Sequence, residues 1–344
     1  MNRNIVYNSR HMKLKLTGIL LAVAMTASAA ETIRVGYFPN ITHAQPLVGI
    51  ANGRFQKALG DVTVDAKTFT AGPSAVEALF AGAIDLSYLG PGPAINGYVK
   101  SNGDLIVIAG ACSGGASLVV RSDLPIKSPG DFHGKQIATP QIGGTQDIAL
   151  RHWLKAQGLA PVENGGDVRV LPMANADQLT LFIGKHLEAA WAPEPWATRL
   201  VVEGGGKVYL DERDLWPGRR FATTVIVVRK KYLQEHPQAV QKWLAAHVDV
   251  THWIEKHPQE ARALMNQEIK RLTSKALPDN VIAQAWGHLE LTIDPLTSTL
   301  ARNAGAAFEL GFLGRTKPDL TGLVDLQPLA LVLLSKGLPP LHER

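Results

Sequence analysis

The sequence predicts an α/β fold of two lobes, each built on a doubly wound sheet. Three observations carry this. β-rich runs alternate with helical stretches over roughly the first 230 residues. Several of the strand-to-helix turns are built from glycine, proline and hydroxyl residues. Two similar runs, Ser117-Leu118-Val119-Val120-Arg121 and Thr224-Val225-Ile226-Val227-Val228-Arg229, bracket about one hundred residues of the same βα style. These two runs predict neighbouring strands on which the chain leaves one lobe and returns to it. The result is a hinge of two crossing strands, with lobe 1 over residues 31–117 plus 224–344 and lobe 2 over 118–223.

The elements follow in order. Residues 32–37 alternate and are β-rich, a first strand. A loop over 38–42 leads to a helix over about 43–52, which Gly53 stops. A second strand spans 62–69, and a helix over 73–81 turns Val76, Leu79 and Phe80 inward. Residues 84–89 make a third strand. Residues 105–109 are apolar throughout, as in a parallel strand covered on both faces. The style repeats with strands at 136–138, 168–171 and 189–191 and helices after Gly144 and Asn175. From Lys230 the pattern is helical over 232–246, 248–256, 283–291 and 329–334, punctuated by Pro237, Pro258, Pro278 and Gly337.

Lys13 and Lys15 precede an apolar stretch at 16–25 and the small residues of 26–30. This pattern reads as an export signal over residues 1–30, cut after Ala29 or Ala30, with residues 1–11 an upstream extension before Met12. The apolar stretch is short for a membrane span, and no cysteine at the cut offers a lipid anchor. The expected location is therefore the periplasm. The signal carries Arg3, Arg10, Lys13 and Lys15 and no acid, so its removal takes the formal charge from +5 to +1. A nearly neutral mature chain argues against a nucleic-acid partner. Cys112 is the sole cysteine, which excludes an internal disulfide and cysteine-type zinc sites; it reads as a small buried residue. The histidines show no metal-site spacing. Neither cofactor, metal nor catalytic residue is expected.

Four turns suit a small anion. Asn40-Ile41-Thr42-His43-Ala44-Gln45 contains a Thr-x-x-Gln capping box, and Gly72-Pro73-Ser74-Ala75-Val76-Glu77 a Ser-x-x-Glu box. Gly90-Pro91-Gly92-Pro93 opens a further helix. Gly143-Gly144-Thr145 feeds another, with Thr145 as its cap and Asp147 in its first turn. Each helix start offers unpaired N–H groups and the positive end of a dipole. In a doubly wound sheet such turns gather at the carboxyl ends of the strands, where ligands bind. Ala190-Trp191-Ala192-Pro193-Glu194-Pro195-Trp196 adds two indoles around a stiff turn. Each indole either walls the site or sits in the core. Glu194 either orders its turn, pairs with Arg199, or meets an amino group on the ligand.

Taken as an ordered set over about residues 31–250, these motifs resemble the periplasmic solute-binding proteins of ABC importers for aliphatic sulfonates, taurine and nitrate. The resemblance implies a type II binding protein, a monomer that closes on a small anionic ligand and docks to an inner-membrane permease. It implies a cleft lined by Asn40, His43, Gly72, Ser74, Gly90, Pro91, Gly143, Gly144, Thr145, Trp191 and Glu194. Aliphatic sulfonates or taurine are the leading ligands. The Glu194-Pro195-Trp196 turn looks closer to the nitrate branch. A pyrimidine-precursor synthase and pyrimidine-precursor-binding transport proteins share the implied fold; the synthase forms the enzyme alternative, while a ligand-presenting sensor is a third.

Overall fold

The structure, a computed structural model, describes residues 1–2 and 31–341. The remainder of the expected export signal, residues 3–30, lies outside the described residues. The chain opens with β1 (Thr32–Tyr37), α1 (Ala44–Ala51), α2 (Arg54–Leu59), β2 (Thr63–Thr68), α3 (Gly72–Phe80), β3 (Leu86–Leu89), α4 (Pro91–Lys100) and β4 (Leu105–Gly114). It then builds β5 (Ala116–Arg121), β6 (Gln136–Thr139), α5 (Thr145–Ala156), β7 (Arg169–Pro172), α6 (Asn175–Ile183), β8 (Ala189–Pro193), α7 (Trp196–Val202) and β9 (Gly206–Asp211). It returns with β10 (Ala222–Arg229), α8 (Lys230–Glu235), α9 (Pro237–Lys256), α10 (Pro258–Thr273), α11 (Asp279–Trp286), β11 (Leu289–Leu291), α12 (Thr297–Glu309) and α13 (Gln327–Ser335).

Two sheets result. One has the order β11-β4-β10-β3-β1-β2, the other β7-β6-β8-β5-β9. Strand alternation sends side chains to opposite faces, and both faces of each sheet are covered. Ile226 and Val228 of β10 join one core, Val225 and Val227 the other. In the second lobe Leu118 and Val120 face one cluster and Val119 the other.

The crossing strands differ from the expectation in one respect. The two look-alike runs are not neighbours: β5 pairs with β8 and β9, and β10 pairs with β3 and β4. The outgoing strand beside β10 is β4, which runs into β5 through Gly114 and Gly115, both at positive φ (74° and 75°). Two glycines allow the turn between sheets without strain. β4 is also antiparallel to β10 and β11, so its apolar run reflects burial on both faces and not parallel pairing.

Several local expectations are corrected. Phe80 is 41% exposed, while Val76 and Leu79 are buried. The 232–256 stretch is not split at Ala246; α9 runs unbroken from Pro237, its buried face continuing through Trp243, Leu244, His247, Val248, Thr251 and Ile254. Residues 289–291 leave the helical pattern for an edge strand on β4. None of the expected caps forms. Ser74 Oγ donates to the Ala71 carbonyl, Gln45 turns inward to the Ala111 carbonyl, and Thr145 lies one residue inside a helix whose N-cap is Gly144. Among the described residues, no helix is long and apolar enough to cross a membrane.

Candidate functional site

Among the described residues, the six strands that pair in parallel, β1, β2, β3, β6, β7 and β8, point their carboxyl ends at one cavity between the sheets. Phe38 follows β1, Thr70 follows β2, Gly90 follows β3, Pro140 follows β6, Asn175 lies just past β7, and Pro193 ends β8. The cavity holds about 40 Å³. A single water needs on the order of 10–15 Å³, so there is room for only a few heavy atoms.

Helix starts converge here from both lobes. The 3-10 turn Ile41–His43 leading into α1 contributes Asn40, Thr42 and His43; α3 contributes Ala71 and Gly72; α4 contributes Gly90 and Pro93. Across the cleft α5 contributes Gly144, Thr145 and Gln146, and α6 contributes Asn175. The first-turn N–H groups of a helix lack intrahelical acceptors, and the dipoles add positive potential. Among the described residues lining the cavity, none carries a formal charge.

Among the described lining residues, His43 alone is titratable. Complete burial lowers its pKa to about 3, so the ring is neutral at ordinary pH. The Phe38 N–H donates to Nδ1 at 3.4 Å, which fixes the proton on Nε2 and makes that nitrogen a donor. The ring also stacks on Phe38 at 4.4 Å. Among the described lining residues, two side-chain polar atoms are buried without a hydrogen-bond partner: Thr224 Oγ1 and Asn175 Oδ1. Leaving such groups unpaired costs about 1–3 kcal/mol each, which a bound ligand would relieve. A half-turn of the Asn175 amide places its NH₂ donors where the oxygen now lies.

The lobes meet directly around the cavity. The Gly92 N–H donates to Thr145 Oγ1 at 3.3 Å, and Trp196 Nε1 donates to Asn40 Oδ1 at 2.9 Å. A Cβ on Gly90 would collide with Thr145 Oγ1, and one on Gly92 would press on Ile148 and Thr145. Glycine at both positions permits this approach. Near the crossing, Glu194 pairs with His288 at 2.6 Å, which raises the His288 pKa. The Glu194 N–H donates to the Gly115 carbonyl, and the Gly115 N–H to the His288 carbonyl.

The sequence-derived site residues divide. Asn40, His43, Gly72, Gly90, Gly144 and Thr145 line the cavity. Ser74, Pro91 and Gly143 lie in the right turns but not on its wall. The Gly143 N–H is taken by Asp147, whose buried carboxylate also accepts from Thr139 and Arg151; the Gly144 N–H is taken by the Gln141 carbonyl. The donors left in this turn are therefore those of α5 itself. Trp191 is fully buried, packs edge-on to Trp153 and donates to Glu212 at 2.7 Å, so it belongs to the second lobe's core. Glu194 orders its own turn by accepting from the Thr198 N–H and hydroxyl, while Arg199 pairs with Glu203. Thr70, Gln146, Asn175, Thr223 and Thr224 were missed as lining residues. The adjacent threonines opening β10 were the available signal.

Two α/β lobes around an interlobe cleft, with helix-opening turns at the strand ends, define a periplasmic-binding-protein fold. The fold is shared with the periplasmic aliphatic sulphonate binding protein SsuA of Escherichia coli, at TM-score 0.70 and 22% identity over 86% of this chain and 92% of that one. It is also shared with the periplasmic nitrate-binding protein NrtA of Synechocystis PCC 6803, at TM-score 0.75 and 17% identity over 90% of each chain. The taurine-binding periplasmic protein of Escherichia coli K12 is 28% identical over 67% of this chain and 69% of its own length. Residues 26–269 match the model of the NMT1-like family, and the chain belongs to that family.

Proposed function

We propose that this protein is the extracytoplasmic binding component of an ABC importer for a small oxyanion, with aliphatic sulfonates or taurine the leading ligands. The observation that carries the reading is the uncharged cavity. Helix starts from both lobes surround it, His43 offers a neutral donor, and Thr224 and Asn175 have polar atoms awaiting a partner. Neutral donors in a buried site hold an anion without the desolvation cost of a buried cation. The lobe limits fit near Gly115 and 221, where the chain changes sheets. The protein acts by closing around its ligand and presenting the closed form to a permease, as a monomer and without chemistry. The named functions of the similar proteins support binding over catalysis.

The small volume favours a second reading, a nitrate- or nitrite-sized ion. A thermal-shift panel of methanesulfonate, taurine, nitrate, nitrite and a neutral aminopyrimidine separates the readings. A ligand at one hundred times its Kd stabilises by about 2.7 kcal/mol, or about 4 °C for a chain of this size. A response to the pyrimidine alone, or to no oxyanion, refutes the proposal.

A further inference from the structure

Gly115 carries the crossing from β4 to β5, and its two polar backbone groups are held from opposite lobes. Its N–H donates to the His288 carbonyl at 2.9 Å, beside β11 of the first lobe. Its carbonyl accepts from the Glu194 N–H at 2.9 Å, past the end of β8 in the second lobe. The torsions of Gly115 therefore lie between two anchors, and a rotation there that swings one lobe against the other also moves residue 194 against residue 288. Their side chains bridge the same point. The Glu194 carboxylate, 1% exposed, meets the 36% exposed His288 side chain at 2.6 Å. The charged groups around His288 come from several elements. Asp211 ends β9 and is shared by Arg213 at 2.6 Å and Arg219 at 3.7 Å. Arg213, in the 3-10 turn Glu212–Leu215, also reaches the Gly287 carbonyl at 3.5 Å. Glu290 on β11 is taken by Arg220 at 3.0 Å. The Glu194 hydrogen bond outweighs burial and the Arg213 charge, so the His288 pKa rises. Glu212, raised to about 7 by burial, also titrates near neutrality, but its carboxyl is held by Trp191 within the second lobe and spans no hinge.

We propose that Glu194 and His288 form a proton-operated latch across the hinge: protonated His288 favours the closed arrangement of the lobes, and loss of that proton releases them. Closure then takes up a proton. Below about pH 6.5 the imidazole is charged in both arrangements and the latch acts in full. As pH rises through the raised value of the closed form, the charge and the added hold are lost. Ligand affinity draws on the closed form and falls with it. An ion pair with one partner this exposed shifts the balance by about two- to fivefold. The latch goes beyond the oxyanion reading and does not depend on which solute fills the cavity.

Two measurements on the purified full chain test this between about pH 5.5 and about pH 8.5, a window that brackets the imidazole. Small-angle scattering without ligand is expected to give a radius of gyration that grows as pH rises. Calorimetric titration with methanesulfonate and with nitrate is expected to give a Kd that rises about two- to fivefold over the same window. Near its midpoint, binding should take up part of a proton, read from the dependence of the heat on the ionisation enthalpy of the buffer. His288→Gln should abolish the rise in Kd and the proton uptake. Glu194→Gln, which keeps a carbonyl oxygen for the Thr198 N–H, should do the same and guards against a folding defect in the first variant. A pH-independent Kd in the wild type overturns the proposal. So does a pH dependence that persists unchanged in both variants, because it then belongs to Glu212 or another group. If neither anion binds at any pH, the oxyanion reading fails separately and scattering decides the latch: a radius of gyration that grows with pH in wild type but not in His288→Gln supports it, and a flat one overturns it.

Discussion

Substituting Gly90 by alanine separates closure from folding. Gly90 sits at φ −77°, ψ 160°, an extended conformation that alanine adopts freely. In the ligand-free chain the change stabilises by about 0.4–1 kcal/mol through the unfolded state, provided the lobes can part. In the closed form the new methyl meets Thr145 Oγ1, with Thr145 Cβ 3.1 Å away, so turning the threonine side chain relieves only part of the clash. Overpacking of this kind costs about 1–3 kcal/mol, equivalent to roughly 5- to 150-fold in affinity. The assay pairs calorimetric titration with the best sulfonate and a melting curve without ligand. The expected result is a melting temperature equal to or above wild type with affinity reduced at least fivefold. Thr145→Ala removes the obstructing oxygen and should recover part of the loss in a double-mutant cycle. Unchanged affinity in Gly90→Ala would show that the bound form does not bring these two turns together.

Further consequences are as definite. Trp191→Phe removes one of the two indole partners of the buried Glu212 carboxyl, leaving Trp216, and should cost about 1 kcal/mol in denaturant unfolding with Kd unchanged; a matching loss of affinity would put Trp191 back in the cleft. His43 and His247 are both buried neutral, with pKa values lowered to about 3 and about 4. The unfolded chain binds those protons near pH 6.5, so their contribution to stability is complete above that pH and fades as pH falls towards 4 and then 3. Melting curves across pH 3–8 should show this acid loss, and an imidazole signal from His43 titrating near pH 6.5 would contradict it. His288 behaves in the opposite sense. Its raised pKa means that the Glu194 pairing is complete below pH 6.5 and is lost as pH climbs through the raised value. Stability of the wild type should decline over that upper window, and His288→Gln should flatten the decline. A variant that keeps the full dependence would assign the effect to another group.

The alternation of β-rich and helical runs was legible because it is local. β1, β2, α3, β6, α5 and β10 all stand close to where the residue pattern puts them. Pairing partners are not local. The likeness of 117–121 to 224–229 reflects two strands that are each buried in a sheet interior, and sequence alone does not say that the sheets differ. The turns that form the site were legible for the same reason as the strands: glycine and proline mark helix starts. Which donors remain free was not, since Asp147 and the Gln141 carbonyl claim the glycine amides from a few residues away. Trp191 shows the same limit. An indole beside a stiff turn suits a ligand wall or a core equally well, and the choice rests on Glu212, which reaches its N–H from twenty-one residues downstream. Thr224 and Asn175 became visible only once folding had buried them without partners.

Diffraction from crystals grown with methaneselenonate, located by selenium anomalous scattering, would test the neutral-donor site most directly. The anomalous peak should fall inside the small cavity, with ligand oxygens about 2.7–3.2 Å from His43 Nε2 and from first-turn amides of α5. A peak held instead by lysine or arginine side chains elsewhere on the molecule would contradict it.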